Sequence, residues 1–239
     1  MIGVVCAGGR GTRLYPLTYA TNKHLLPVYD KPMIFYPLET LRKAGVRDVV
    51  IVVGGEQSGQ FIKVVRNGHE LGFDHIYYAY QEGDRAGIAD AIAQAETFAD
   101  GDSIAVILGD NTTDADLSDD VKEFKDGAKI FLKEVPDPER FGCPVFDPDQ
   151  QILKIEEKPK KPQSRYGVVG LYLYDNTVFD KIRAIKPSKR GELEITDVNN
   201  LYLKDGKMDY SMLNGFWRDA GTFETLSEVN AYWKLKNHK

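Results

Sequence analysis

The stretch VVCAGGRGTRLYPLT, residues 4–18, begins as an apolar strand and continues into a loop with three glycines and two arginines. Glycines let backbone N–H groups approach a ligand closely and point at its anionic oxygens. Arg13 can add a bidentate guanidinium contact to a phosphate group. The stretch therefore predicts a first strand followed by a phosphate-binding loop. The simpler alternative is a glycine-rich turn with solvated basic side chains.

This loop matches neither of two common phosphate-binding motifs. A P-loop requires Lys followed by Ser or Thr after its glycines, and that pair is absent. The dinucleotide fingerprint G-x-G-x-x-G begins at Gly9 and Gly11, but Leu14 occupies the place of its last glycine. Binding of NAD or FAD, and with it a dehydrogenase activity, is therefore disfavoured.

The composition is that of an acidic globular protein. The 239 residues carry a formal net charge of −5, which argues against a general nucleic-acid binder, because such proteins usually carry a basic surplus. Cys6 and Cys143 predict neither a disulfide framework nor a zinc site. The first residues lack a signal-peptide pattern and no run of 18 apolar residues occurs, so we expect a cytoplasmic protein without a membrane span.

The pattern of apolar runs predicts an α/β fold. Strands are predicted, in chain order, at 2–6, 48–55, 75–81, 103–110, 128–135, 143–147, 151–159, 168–175 and 208–214. Helices are predicted at 33–45, 59–72, 88–99, 176–185, 194–206 and 223–237. Alternating strands and helices in the first half indicate a parallel sheet with helices on both faces. We predict a single domain over residues 1–239, with an antiparallel addition to this sheet and ligands at the carboxyl ends of the strands.

Two aspartates are candidate metal ligands. Asp110 ends the apolar strand in AVILGDN, and Asp219 lies in WRDAGT before the closing helix. Oxygen ligands suit Mg²⁺, which usually takes one or two protein carboxylates together with substrate phosphates. The structural alternatives are that Asp110 opens a turn and that Asp219 or Thr222 caps the helix.

The charged segment KIEEKP, residues 154–159, is a second candidate site. Strand alternation places Glu157 on the same face as Leu153 and Ile155, which is unusual for a merely solvated charge. Glu157 could accept hydrogen bonds from sugar hydroxyls, and Lys158 beside it could bind a phosphate. The alternative is a charged edge strand that prevents aggregation.

These motifs together resemble one enzyme family over nearly the whole chain. In order, the sequence contains AGGRGTRLYPLT, NKHLLPVYDKPMIFYPLETLRKAG, ILGDN, EEKP, GLYLYD, RGELEITDVNNLYL and WRDAGT, a set similar to the sugar-1-phosphate nucleotidylyltransferases. The resemblance implies a Rossmann-like nucleotidyltransferase fold. It also implies Mg²⁺-dependent transfer of dTMP from dTTP to α-D-glucose 1-phosphate by direct in-line attack, giving dTDP-glucose and pyrophosphate. The family's usual role is in the synthesis of dTDP-sugars and polysaccharides.

The resemblance also implies roles for individual residues. Nucleotide binding falls to Gly8, Gly9, Gly11, Thr12, Arg13, Gln81, Gly87 and Asp110, with Gln81 and Gly87 against the base. Binding of the sugar phosphate falls to Lys23, Gly142, Glu157, Lys158, Val168, Tyr172 and Arg190. Arg13, Lys23 and Lys158 would be catalytic, and Asp110 and Asp219 would bind Mg²⁺. The attacking phosphate oxygen is already an anion, so the reaction needs positive charge and positioning rather than a general base.

Departures from the family pattern leave alternatives open. Pro144 and Val145 replace the usual Val-Glu after Gly142, and Arg85-Ala86 precede Gly87. The enzyme could therefore use UTP or another hexose 1-phosphate. A non-catalytic sugar-nucleotide sensor is a further alternative, disfavoured because the charged residues that it could lose are present. The resemblance is to short family members without C-terminal effector-site helices, so we expect weak or absent end-product control; a homo-oligomeric state stays open.

Overall fold

The computed structural model describes residues 1–83 and 87–237. In that part of the chain the strands are β1 Ile2–Ala7, β2 Pro27–Val28, β3 Lys31–Pro32, β4 Asp48–Gly54, β5 His75–Gln81, β6 Ile104–Leu108, β7 Asn111–Thr113, β8 Ala128–Glu134, β9 Gly142–Phe146, β10 Ile152–Glu157, β11 Tyr166–Tyr174, β12 Met208–Met212 and β13 Trp217–Asp219. The α-helices are α1 Phe35–Lys43, α2 Gly59–Val65, α3 Gly87–Ala93, α4 Glu96–Ala99, α5 Ser118–Glu123, α6 Val178–Ala184, α7 Ile195–Lys204 and α8 Phe223–Asn237. None of these helices is long and apolar enough to cross a membrane.

The main sheet has nine strands, and they are the nine strands predicted from the sequence. β1 lies between β4 and β6 and is parallel to both, and β5 continues the parallel part beyond β4. β11 runs antiparallel to β6 and β8, β9 pairs antiparallel with β10, and β12 adds a parallel edge to β8. This confirms the predicted α/β fold with a mixed sheet. β7 pairs with β13 in a separate ribbon that was not predicted.

Apolar side chains cover both faces of this sheet. Neighbouring residues on β1 point to opposite faces: Val4 packs into one buried cluster and Val5 into the other. Val50 on β4 and Val106 on β6 lie in the same cluster as Val4. Because both faces are covered, these strands read as nearly continuous apolar runs rather than as an alternating pattern.

The closing helix packs behind the first loop. Trp233 of α8 contacts Tyr36 of α1 with their ring centroids 4.7 Å apart, in a buried cluster that also contains Leu14. The backbone N–H of Tyr29 donates to Asn230 Oδ1 of α8 at 2.7 Å. The helix therefore supports the segment that carries the predicted phosphate-binding residues.

Two predicted helices are interrupted. The helix expected over 59–72 ends at Val65, because Arg66 and Gly68 take positive φ values of 55° and 78°. A Cβ on Gly68 would lie 2.2 Å from Ile76 Cγ1, so the chain needs glycine at this turn. The helix expected over 88–99 is divided into α3 and α4, and the short helix α5 was missed.

The predicted alternation along β10 is wrong at its start. The pairing register of β10 with β9 shifts between Ile152 and Lys154, which is a bulge. Leu153 is consequently 62% exposed, whereas Ile155 is 3% exposed. Glu157 still shares a face with Ile155, since both side chains lie near the position of a Cβ on Gly142. The bulge thus leaves the end of the strand, where the functional candidates lie, in the predicted orientation.

A buried carboxylate closes the end of β11. Asp175 accepts hydrogen bonds from Gly127 N and Tyr202 OH, both at 2.8 Å, and from Thr177 N at 3.0 Å. Burial raises the pKa of Asp175, but the hydrogen bonds from Thr177, Gly127 and Tyr202 outweigh it and hold this pKa below its ordinary value of 3.8. Asp175 therefore links three parts of the fold, namely the end of β11, the turn before β8, and helix α7.

We expect Asp175→Ala to lower the free energy of unfolding by roughly 2–4 kcal/mol, because the Gly127 N–H and the Tyr202 hydroxyl would lose their hydrogen-bond acceptor. The loss should be full above pH 3.8 and shrink as the pH falls through the lowered pKa. Urea denaturation at several pH values measures it. Asp209→Ala is the control, because that side chain is 70% exposed, and it should change stability by less than about 0.5 kcal/mol. Equal effects of the two substitutions would contradict the assignment.

Candidate active site

Two cavities lie side by side at the carboxyl ends of the parallel strands. The first, about 950 Å³, is lined by the first loop, by residues 54–57 at the end of β4 and by the start of α3. The second, about 660 Å³, lies between β9, β10, β11 and the segment before α7. They share Arg13, Ile88, Leu108, Asp110 and Glu192. Each volume is in the range of small-molecule sites, and the shared wall suits two ligands that must meet.

The first loop depends on glycine at two positions. Gly11 has a φ of 65°, and a Cβ there would lie 2.8 Å from the Cβ of Lys23. A Cβ on Gly8 would lie 2.4 Å from Gln81 Oε1. Thr18 Oγ1 donates to Gly11 O at 2.8 Å and holds the loop in place. The loop therefore packs closely against both Lys23 and Gln81.

A buried ion pair links this loop region to the end of β6. Lys23 Nζ lies 2.6 Å from Asp110 Oδ2, and the two side chains are only 10% and 13% exposed. Asn111 Nδ2 donates to the other carboxylate oxygen of Asp110 at 2.9 Å. Burial raises the pKa of Asp110, but the adjacent Lys23 ammonium outweighs it and holds this pKa well below its usual range. Asp110 is therefore an anion at every ordinary pH.

His24 supports this pair as a neutral ring. Burial, together with the charge of Lys23, lowers the pKa of His24 to about 3. Asn22 Oδ1 accepts from the backbone N–H of His24 at 3.0 Å and lies 2.8 Å from its Nδ1. The ring also lies against Gly109, where a Cβ would be 2.8 Å from its Cδ2. His24 thus fills the space between the loop and β6.

Asp219 is the acid of the site whose negative charge is disfavoured. Its Oδ2 pairs with Arg140 Nη2 at 3.1 Å, whereas its Oδ1 is buried without a hydrogen-bond partner in the described part of the chain. Burial and the nearby charge of Asp110 raise the pKa of Asp219 above its ordinary value. A Cβ on Gly221 would lie 3.1 Å from Asp219 Oδ2 and 3.5 Å from Asp110 Oδ2, so the two carboxylates face the same small space.

These two carboxylates fit Mg²⁺. A cation between the two carboxylates would offset the repulsion between Asp219 and Asp110, and the buried Oδ1 of Asp219 is an oxygen without a hydrogen-bond partner among the described residues. Within residues 1–83 and 87–237 no group of three or more acidic, His or Cys side chains is arranged around a metal position. Mg²⁺ is usually held by one or two protein carboxylates and completed by substrate phosphates and water.

Arg13 is an available cation of the site. Its Nη2 lies 3.2 Å from the position of a Cβ on Gly221, beside both carboxylates. No hydrogen bond or ion pair of Arg13 occurs in the described residues, although its charge lowers the pKa of Asp219. Its guanidinium is thus free to bind an anion where the cavities meet.

The second cavity contains a dense charge network. Glu157 Oε2 accepts from Thr196 Oγ1 at 2.5 Å, and Glu157 Oε1 lies 3.4 Å from Lys158 Nζ. Arg190 lies 2.8 Å from Glu194 and 3.5 Å from Glu157. Lys158 takes a φ of 45° and donates its backbone N–H to Phe141 O at 3.0 Å, so the chain turns sharply there. Glu157 and Lys158 are therefore held at the cavity wall and are not simply part of a solvated edge.

The predicted site residues divide between the two cavities. The first is lined by Gly8, Gly9, Gly11, Thr12, Arg13, Lys23, Gln81, Gly87 and Asp110. The second is lined by Arg13, Asp110, Gly142, Glu157, Lys158, Val168, Tyr172, Arg190 and Asp219. Lys23, predicted to bind the sugar phosphate, lines the first cavity rather than the second, and its ammonium contacts Asp110 at the shared wall. The departure at Arg85-Ala86 lies outside the described residues.

Several cavity residues were not predicted. Arg140 pairs with Asp219, and Thr196, Glu192 and Asn111 line the second cavity. Asn111 follows Asp110 directly and Thr196 lies in the RGELEIT motif, so both could have been found. No sequence signal marks Arg140. The residue that caps α8 is Thr222 and not Asp219. The Thr222 N–H donates to Thr225 Oγ1, and the Thr225 N–H donates to Thr222 Oγ1.

Comparison with known proteins gives consistent matches. Residues 2–234 match the family model described as nucleotidyl transferase. The glucose-1-phosphate thymidylyltransferase of Neisseria meningitidis is 42% identical over 97% of this chain and 82% of its own length. That of Mycobacterium tuberculosis is 41% identical over 96% of this chain and 81% of its own length.

Two solved structures have the same fold. A Bacillus anthracis protein, assigned as a glucose-1-phosphate thymidylyltransferase and crystallised with a sucrose, is 45% identical over 97% of this chain and 95% of that chain, with a TM-score of 0.91. A UDP-glucose pyrophosphorylase crystallised with UDP-glucose covers 98% of both chains, with a TM-score of 0.84. Because its identity is 24%, it supports the fold alone.

The two aspartates should respond oppositely to the same substitution. Asp219→Asn should leave the free energy of unfolding at pH 7 unchanged or higher, because the raised pKa means that the folded protein disfavours this charge. Asp110→Asn should lower it by about 3 kcal/mol, because it leaves the Lys23 ammonium without its partner. Urea denaturation tests both, and each variant is the other's control.

The Asp219→Asn difference should disappear below pH 3.8, where the acid is protonated in both states. A large loss of stability in Asp219→Asn would show instead that its pair with Arg140 dominates.

Proposed function

Because the chain belongs to the nucleotidyl transferase family and is an enzyme of it, we propose that it transfers dTMP from dTTP to α-D-glucose 1-phosphate, releasing pyrophosphate. The main support is that two cavities, one beside a glycine-rich loop and one beside Lys158, meet at Arg13 and Asp110. The named relatives support the choice of dTTP and glucose 1-phosphate.

The nucleotide occupies the first cavity. Backbone N–H groups of residues 8–12 and the guanidinium of Arg13 bind the triphosphate, since this part of the wall combines close backbone approach with an unpaired cation among the described residues. Gln81 and Gly87 line the same cavity and lie against the base. Lys23 is held by Asp110 and places its ammonium beside the reacting phosphates.

The sugar phosphate occupies the second cavity. Lys158 binds its phosphate, and Glu157 accepts hydrogen bonds from sugar hydroxyls, with Thr196 orienting the carboxylate. Arg190 is surrounded by Glu157, Glu192 and Glu194, so it helps to position Glu157 as well as contributing charge near the phosphate. Val168 and Tyr172 provide apolar wall beneath the sugar.

The reaction is a direct displacement. A phosphate oxygen of the sugar phosphate forms a bond to the α-phosphorus of dTTP, the bond from that phosphorus to the bridging oxygen breaks, and pyrophosphate leaves with the electron pair. The nucleophile is already anionic, so the side chains bring two polyanions together and stabilise the charge of the transition state. Asp110 and Asp219 would hold Mg²⁺, which when bound neutralises charge on the reacting phosphates.

Pyrophosphate release tests the proposed substrates. With Mg²⁺ present, dTTP, UTP, dCTP, ATP and GTP are each combined with the 1-phosphates of glucose, galactose, mannose and N-acetylglucosamine. We expect the highest kcat/KM with dTTP and glucose 1-phosphate. If a different pair gives the highest kcat/KM, the proposed reaction type would stand and that pair would replace the proposed substrates. No release with any pair, together with tight binding of a sugar nucleotide, would favour a sensor instead.

Lys158→Ala should raise KM for glucose 1-phosphate or lower kcat by at least about 10-fold, because a charge-assisted hydrogen bond contributes roughly 1.5–3 kcal/mol. The KM for dTTP should change by less than about threefold. Lys160→Ala is the matched control, since Lys160 is exposed in the same segment and does not line the second cavity. Equal behaviour of the two variants would contradict the role of Lys158.

A further inference from the structure

The side-chain amide of Gln81 is held in one orientation by two acceptors. Its Nε2 donates to Gly87 O at 2.9 Å and to Asp90 Oδ2 at 3.0 Å. A backbone carbonyl and a carboxylate can only accept, so the nitrogen of the amide must face them and the carbonyl must face away. Both N–H groups of the amide are then engaged.

The carbonyl oxygen of Gln81 lies against the first loop. A Cβ on Gly8 would be 2.4 Å from Gln81 Oε1, and both residues line the first cavity. At this end of the cavity the wall therefore presents a hydrogen-bond acceptor in a fixed direction. A freely rotating amide would present either an acceptor or a donor.

The two acceptors themselves are rigid. Asp90 lies on α3, whose Ala89 and Ile92 are fully buried. A Cβ on Gly87 would lie 2.4 Å from Leu193 O, and the Ala89 N–H donates to that same oxygen at 3.3 Å. The first turn of α3 is thus packed against the backbone before α7. The direction of the Gln81 carbonyl is consequently a property of the fold.

We propose that Asp90 is a positioning residue that sets the base preference of the nucleotide cavity, an inference that rests on the proposed function. Asp90 keeps the Gln81 carbonyl toward the base, where it accepts a hydrogen bond from the ring N–H at position 3 of thymine or uracil. Cytosine carries an acceptor nitrogen at that ring position, and two acceptors facing each other repel. Without Asp90 the amide can rotate and offer its N–H₂ group to cytosine.

The test compares wild type with Asp90→Leu, which has a similar size and no acceptor, and with Asp90→Asn, which keeps an acceptor oxygen. Pyrophosphate release is measured with Mg²⁺, glucose 1-phosphate and either dTTP or dCTP. The Kd values of dTDP and dCDP are measured separately by calorimetry. Far-UV circular dichroism verifies folding, and Asp90→Ala replaces Asp90→Leu if the latter is unfolded.

In Asp90→Leu we expect the preference for thymine over cytosine to fall about 10-fold in both kcat/KM and Kd, the size of one hydrogen bond. The KM for glucose 1-phosphate should not change. Asp90→Asn should retain the preference within about threefold. An unchanged preference in Asp90→Leu would overturn the proposal, and so would an equal loss in Asp90→Asn, which would make the charge responsible.

A double-substitution cycle tests whether Asp90 acts through Gln81. Gln81→Leu should lose the preference by itself, and adding Asp90→Leu should cause no further loss. Additive losses would overturn the proposal. Absence of pyrophosphate release from wild type would contradict the proposed function, while the Kd values for dTDP and dCDP would still decide the role of Asp90. Equal Kd values of the two in wild type would overturn it.

Discussion

The buried pair of Lys23 and Asp110 is the contact on which the site depends. It joins the segment after the first loop to the end of β6, and it lies where the two cavities meet. Either charge alone would be costly to bury, so the pair fixes both side chains. It also explains the state of Asp219: with Asp110 kept ionised, the second carboxylate is left buried beside a permanent negative charge.

This arrangement would allow a chain with a net charge of −5 to bind the two anionic substrates proposed for it. The ammonium of Lys23 and the guanidinium of Arg190 are balanced by carboxylates, and Lys158 lies near one. Balanced cations can be buried at the cavity walls without a large unpaired charge. A bound phosphate would compete with these carboxylates, whereas Arg13, unpaired among residues 1–83 and 87–237, is open to an anion from the start.

The sequence predicted the strands well because β1, β4 and β6 are buried on both faces and leave long apolar runs. The sequence did not predict two local backbone features. The positive φ values of Arg66 and Gly68 end a helix, and the bulge at 152–154 exposes Leu153. Asp110 could be predicted because it follows a core strand directly. Arg140 and Asp90 could not, since they reach Asp219 and Gln81 through contacts between segments that only folding brings together.

The two sides of the nucleotide site differ in how strongly they can discriminate between bases. With the base placed against Gln81 as proposed, a fixed carbonyl there would separate bases by whether they carry a donor or an acceptor at one ring position, and a mismatch would leave buried polar groups unpaired. Thymine and uracil are alike in this respect and differ by one methyl group, which an apolar wall such as that of Ile88 and Ala91 distinguishes by only about 1–3 kcal/mol. Under the proposed role of Asp90, exclusion of cytosine would be set by hydrogen bonding, whereas the choice between dTTP and UTP would depend on packing and would be the easier of the two to alter.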